Sequence, residues 1–151
     1  MGTKDGFTSK SFHENCDEKG RLLILIRSKD YNKVFGAYTG ISWTNVLGWK
    51  DANGSSFLIS LRDDKTFVQL KCLDKEYEVY HSEKEIIQFG IFGNLYICNN
   101  CDITKNSCSY LGCNNSYEVP NGMLPNSNEA NKFLAGEQSF FVDEIEVYRL
   151  I

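Results

Sequence analysis

The chain has 151 residues, of which 42% are hydrophobic, and ten Phe and eight Tyr residues can supply a substantial core for one domain. Its 16 basic and 20 acidic residues are scattered in both signs and leave a net charge of -4. This balance disfavours nucleic acid as a partner, because polyanion binding usually needs a concentrated basic surface.

The first predicted element is a short helix near the start of the chain. Thr8 is a suitable N-cap, and Phe7 and Phe12 are placed to form a hydrophobic staple around it. Gly20 ends this segment. Residues 21–28 follow as a nearly continuous aliphatic run, which predicts a central strand buried on both faces.

The middle of the chain predicts several short strands. Residues 33–39 form one of them, in which Gly36 allows close approach of a neighbouring backbone. Residues 56–61 and 67–72 predict a hairpin, because alternating apolar residues flank the polar turn Asp63-Asp64-Lys65. Further strands are predicted at residues 77–81, 86–89 and 95–98.

The last third of the chain begins with a polar segment. Residues 99–128 contain both prolines and many Asn and Ser residues, so we expect long loops with one short strand. Ser127 or Asn128 can cap a brief helix that stops at Gly136, in the position of a left-handed C-terminal cap. Residues 139–150 predict a closing strand with both faces covered at its ends.

These elements together predict a mainly β (α+β) fold, a two-layer antiparallel β-sandwich with two or more short flanking helices. No transmembrane segment is predicted, because the longest apolar run, residues 22–26, is too short to cross a bilayer. The polar start lacks a signal-peptide core, so we expect a cytoplasmic or otherwise intracellular protein. Its six cysteines are then expected to be reduced thiols.

The same segments resemble the landmarks of the TLDc domain family, whose members include the oxidation-resistance proteins and TLDc-bearing nuclear-receptor coactivators. The blocks that carry the resemblance are Asp5-Gly6-Phe7, Phe12-His13, Cys16-Asp17, Val34-Phe35-Gly36-Ala37-Tyr38 with Trp43, and residues 56–61, 89–97, 133–136 and 142–148. Each block alone is weak evidence for the family. The occurrence of all the blocks in family order over essentially the whole chain makes the resemblance specific.

Two features depart from the family pattern. The family usually carries a further strand ahead of the Asp-Gly-Phe block, and here only residues 1–4 precede that block. Residues 1–151 are therefore interpreted as a single TLDc-like domain that is either trimmed or lacks the family's first N-terminal strand. The family's glycine-rich loop often ends in Asp, whereas this chain has Phe92-Gly93-Asn94, which argues against metal or acid-base chemistry at Asn94.

The resemblance implies a β-sandwich flanked by helices and a role in oxidative-stress resistance. It also implies binding to subunits of the vacuolar-type proton-pumping ATPase, whose assembly such domains regulate. We therefore hypothesise a non-enzymatic protein-binding domain that uses no cofactor and reaches organelle membranes through its partner. Loops 41–53 and 99–126 are candidate contact regions, because a rigid sandwich presents its connections to solvent.

The cysteines suggest two alternative functions. Cys98 and Cys101 form a Cys-x-x-Cys pair that, with Cys108 and Cys113, could bind one zinc ion and stabilise a structural subunit. Cys98, Cys101 or Cys16 could instead act as reactive thiols of a redox-active protein or an enzyme. The third interpretation is that these are ordinary buried cysteines.

Conventional catalytic groups are sparse. His13 and Cys16 lie three residues apart on the predicted first helix and could contact each other, but an orienting partner and an oxyanion pocket are not evident. We therefore predict no catalytic residue.

Four residues are candidates for partner binding. Trp43 and Trp49 lie in a loop-like stretch where an exposed indole could anchor a partner, although both could equally cap the core. Glu144 and Glu146 share one face of the last strand and could form the charged edge of a partner surface, or simply aid solubility.

Overall fold

Two antiparallel sheets pack around one hydrophobic core in the computed structural model, which describes residues 1–151. The helices are α1 (Gly2–Asp5), α2 (Ser9–Cys16) and α3 (Asn128–Lys132). The strands are β1 (Leu22–Ser28), β2 (Val34–Thr39), β3 (Gly48–Lys50), β4 (Phe57–Leu61), β5 (Phe67–Lys71), β6 (Val79–His81), β7 (Ile87–Phe89), β8 (Leu95–Ile97), β9 (Ser107–Cys108), β10 (Ser139–Phe140) and β11 (Val142–Arg149). The predicted mainly β fold with flanking helices is confirmed.

The first sheet has five strands in the order β11-β1-β2-β4-β5. Its register places Ile24, Ala37, Leu58 and Leu70 opposite one another on successive strands, and all four are buried. This row forms one wall of the core. Gly36 lies where β1 and β2 approach closely, since an added Cβ would lie 1.9 Å from the backbone oxygen of Ile24. The predicted role of Gly36 is therefore confirmed.

The second sheet has six strands in the order β10-β9-β8-β7-β6-β3. Alternate residues point to opposite faces, so Val79, Ile87, Phe89, Leu95 and Ile97 form the facing wall of the core. Strand β3 is the outermost strand and pairs only with β6. None of the helices has the length and apolar character that crossing a bilayer requires.

Several local predictions are confirmed by hydrogen bonds. Thr8 caps α2 by accepting a hydrogen bond from the amide of Ser11, and Ser127 caps α3 in the same way through Ala130. Strands β4 and β5 form the predicted hairpin. Gly136 has a φ of +92° after α3, as expected for a C-terminal cap.

Strand β1 is buried on one face only, which corrects the prediction of a strand buried on both faces. Leu22, Ile24 and Ile26 point into the core, whereas Leu23 and Leu25 are half-buried on the other face. The aliphatic run is continuous because both faces are apolar, yet the chain supplies a second layer for only one of them.

The closing segment is two strands rather than one. Strand β10 pairs with β9 in the six-stranded sheet, and after Phe141 the chain enters the five-stranded sheet as β11, beside β1. The prediction that both faces of the closing segment are covered at its ends is wrong at the C-terminal end, where Tyr148 and Leu150 are 47% and 43% exposed. Helix α1 and strand β3 were not predicted.

A buried carboxylate joins the two sheets. Glu78, at the start of β6, has no exposed surface, and its side chain accepts hydrogen bonds from the amides of Ala52 at 2.7 Å, Gly54 at 3.0 Å and Ser56 at 2.7 Å. These amides belong to the connection between β3 in one sheet and β4 in the other. The charge is thereby satisfied by backbone dipoles alone, and the connection is fixed in one conformation.

We expect Glu78→Gln to lower the free energy of unfolding by about 2–4 kcal/mol, because the amide nitrogen cannot accept a hydrogen bond and leaves buried N–H groups unpaired. Urea denaturation followed by circular dichroism measures this change. The matched control is Glu76→Gln, two residues away and exposed, which should change stability by less than about 0.5 kcal/mol. Equal stability of the two variants would contradict the role given to Glu78.

Candidate functional site

Cys16 and His13, the possible nucleophile and base, do not form a catalytic pair. The Nδ1 of His13 lies 2.8 Å from a carboxylate oxygen of Asp17, and its Nε2 lies 3.2 Å from the backbone oxygen of Glu85. Both ring nitrogens are therefore occupied. Burial, followed by the charge of Asp17, raises the pKa of Cys16 to about 11, so its reactive thiolate is scarce at neutral pH.

Three other cysteines also lack the surroundings of a reactive thiol. Burial is the main cause that raises the pKa of Cys72 and Cys108 to about 11, and it raises the pKa of Cys101 further. Cys98 is buried beside the hydroxyl groups of Thr104 and Ser107. All six cysteines are free, and no three His, Cys, Asp or Glu side chains are grouped so that they could hold a metal ion.

Trp43 is a core residue, so of the two predicted roles of its indole, exposed anchor or cap on the core, the structure agrees with the second. Its side chain is 1% exposed, stacks on His81 with ring centroids 4.7 Å apart, and packs perpendicular to Phe12 at 5.7 Å between centroids. Trp43 lies in a segment that the sequence predicts to be a loop. An isolated β-bridge to Asp17 fixes the backbone of this segment at Trp43.

Glu144 is also not available as a surface charge, in contrast to its prediction. Its carboxylate accepts hydrogen bonds from the amide and hydroxyl of Thr3 and from the amide of Ile145. Burial alone would raise the pKa of Glu144, but these hydrogen bonds outweigh burial and lower it. Glu144 thus holds α1 against β11. Glu146 stays half-buried on the outer side of β11, where it accepts a hydrogen bond from the hydroxyl of Tyr148.

The outer side of the five-stranded sheet carries a continuous apolar row. Leu23 pairs with Tyr148 on one side and with Tyr38 on the other, and Tyr38 pairs with Phe57. The rings of Tyr38 and Phe57 stack with centroids 4.8 Å apart. Together with Leu25 beside Leu23, these residues define a surface that we call the Tyr38 face.

Polar groups surround the Tyr38 face. Glu146 pairs with Leu25 across the strands, Lys71 pairs with Phe57, and Arg27 forms an ion pair with Asp143 at 2.7 Å. An apolar centre with a charged rim is the usual anatomy of a protein–protein interface, in which aromatic residues are enriched. The arrangement can bind another macromolecule, and no reactive group lies within it.

Trp49 belongs to a second, smaller surface on the outer side of the six-stranded sheet. It pairs with Tyr80, packs against that ring at 5.0 Å between centroids, and meets the edge of Tyr77 at 5.3 Å. Exposed Val46 and Leu47 lie in the loop just before the outermost strand. The row continues to Gln88, Tyr96 and Cys108 on the following strands. Its apolar surface is interrupted at Gln88.

The sequence alone does not single out the Tyr38 face. Its signal is the two-sided aliphatic run of residues 21–28, which predicts a doubly covered strand. Alternation assigns Leu23 and Leu25 to one face, but it cannot say whether a layer of the same chain covers that face.

The family model described as TLDc domain matches residues 1–151, the whole chain. No curated protein matches the chain.

We expect Cys16, Cys72 and Cys108 to react with iodoacetamide at pH 7.5 at least about 100-fold more slowly in the folded chain than in urea, because the raised pKa values leave little thiolate. Peptide mass spectrometry after timed alkylation reports each cysteine separately. Rapid labelling of any one of these three cysteines in the folded chain would contradict this expectation and support the thiol-redox alternative.

His81 should make the fold sensitive to acid. Its side chain is 1% exposed, and burial, with smaller effects of Lys50 and His13, lowers its pKa from 6.5 to about 4. Between these values the unfolded chain binds a proton that the folded chain does not, so stability falls as the pH falls, by about 3 kcal/mol in all. Urea denaturation from pH 7.5 to 4 should show a smaller decline for His81→Phe. An unchanged decline would contradict this assignment.

Proposed function

The chain belongs to the TLDc domain family, and on that premise we propose that it is a non-enzymatic protein-binding domain. We propose further that residues 1–151 act as a single domain and that the Tyr38 face is its docking surface. The alternative functions receive less support, because burial raises the pKa values of Cys16 and Cys101 and no metal-binding group of side chains is present.

The observation that carries the proposal is the outward placement of Leu23 and Leu25 on an interior strand of the sheet. Full burial of one leucine side chain stabilises a protein by about 1.5–3 kcal/mol, and these two side chains are buried only in part. Next to them lie the stacked rings of Tyr38 and Phe57 and the exposed ring of Tyr148. A partner that covered this row would gain the burial that the isolated chain leaves incomplete.

The partner that we propose is a subunit of the vacuolar-type proton-pumping ATPase, and the role is regulation of its assembly under oxidative stress. This part rests on the TLDc resemblance. The same resemblance supports an intracellular location, with recruitment to organelle membranes through the partner. The rim of both charge signs around the Tyr38 face suits a protein surface better than a polyanion.

Replacing Leu23 and Tyr148 together by Lys should weaken binding to isolated ATPase subunits at least tenfold, because two charges would have to be desolvated at the centre of the contact. Surface plasmon resonance with the immobilised domain measures the affinity. Leu124→Lys is the matched control, since Leu124 is 75% exposed and lies outside the Tyr38 face.

Trp49→Ala separates the two candidate surfaces in the same assay. Loss of binding in this variant, with the Leu23 and Tyr148 variant unaffected, would move the docking site to the six-stranded sheet. Lack of binding by the unaltered domain to every subunit would refute the ATPase as partner.

A further inference from the structure

A cleft of about 340 Å³ lies between the two N-terminal helices and the end of the five-stranded sheet. Its volume falls in the range of about 300–1,000 Å³ that small-molecule sites occupy. Helix α1 forms one side of it and is held in place by the hydrogen bonds from Thr3 to Glu144. The cleft lies on the opposite side of β11 from Tyr148, so it is separate from the Tyr38 face.

The floor of the cleft is apolar and consists mainly of core side chains. Phe12, Leu22, Ile86, Ile145 and Val147 line it. The first four are buried core residues, and Phe12 packs perpendicular to the ring of Trp43. Such a floor is largely preformed, so a ligand that covers it need not reorder the side chains.

The rim of the cleft has an excess of positive charge. Lys19 and Arg149 line it, are exposed, and have no carboxylate within ion-pairing distance. Asp5 is the one acidic residue of the lining, so the cations of the rim outnumber the acids. Two cations are thus left without a partner at the mouth of an apolar cleft.

We propose that this cleft binds a small carboxylate with an unbranched apolar chain, such as a medium-chain fatty acid. The carboxylate lies between Lys19 and Arg149, where the guanidinium group can donate two parallel hydrogen bonds to it. The chain covers Phe12, Leu22 and Val147. Cys16 also belongs to the lining, and a thiol is a small, polarisable apolar group.

Isothermal titration calorimetry of the full chain with decanoate tests the proposal. The decanoate is kept below its critical micelle concentration. We expect saturable binding of one decanoate, at least tenfold weaker binding of decanol, and no binding of acetate. The Lys19→Gln and Arg149→Gln double variant should lose at least tenfold in affinity for decanoate. The matched control is Lys10→Gln, because Lys10 is an exposed cation of α2 outside the cleft.

Amide chemical shifts locate the bound molecule. Decanoate should perturb Phe12, Ile145 and Val147, and Val147→Trp should abolish binding by filling the cleft, with the melting temperature as a check on folding. The proposal is overturned if decanoate does not bind, if decanol binds equally well and the double variant is unaffected, or if the shifts map to the Tyr38 face. None of these outcomes bears on docking through the Tyr38 face.

Discussion

The carboxylate of Glu78 is the constraint on which the arrangement of the two sheets depends. Its oxygens fix the amides of Ala52, Gly54 and Ser56, and its backbone oxygen accepts hydrogen bonds from the hydroxyl of Tyr117 and the amide of Gly90. One residue therefore joins the crossover between the sheets to two other connections. A buried charge is tolerable only when its acceptors are filled, so this position demands both the carboxylate and the surrounding loop conformation.

Local signals in the sequence predicted most elements of the fold, because their causes are local. The caps at Thr8 and Ser127 and the hairpin turn at residues 63–65 depend on neighbours a few residues away. Helix α1 and strand β3 depend instead on distant partners, namely Glu144 and β6. The change of sheet at Phe141 likewise has no local signal, since both strands around it alternate in the same way.

The candidate site was harder to predict, because residue type does not reveal which way a side chain faces. Indoles and carboxylates are common at interfaces, but Trp43 completes the core and Glu144 fastens a helix. Trp49 does reach the surface, at the edge of the other sheet. Recognising the surface at Leu23 required knowledge of which layers the chain provides, which follows from tertiary structure alone.

The pairing of β1 with β11 has a consequence for biosynthesis. Leu22 pairs with Arg149, so an early strand obtains one of its two neighbours from the far end of the chain. While the ribosome is still translating, the hydrogen-bonding edge of β1 and its row of leucines stay open to other nascent chains. Completion of the sheet must therefore follow release of residues 142–149 from the exit tunnel, and chaperone protection of β1 during that interval would favour a correctly folded product.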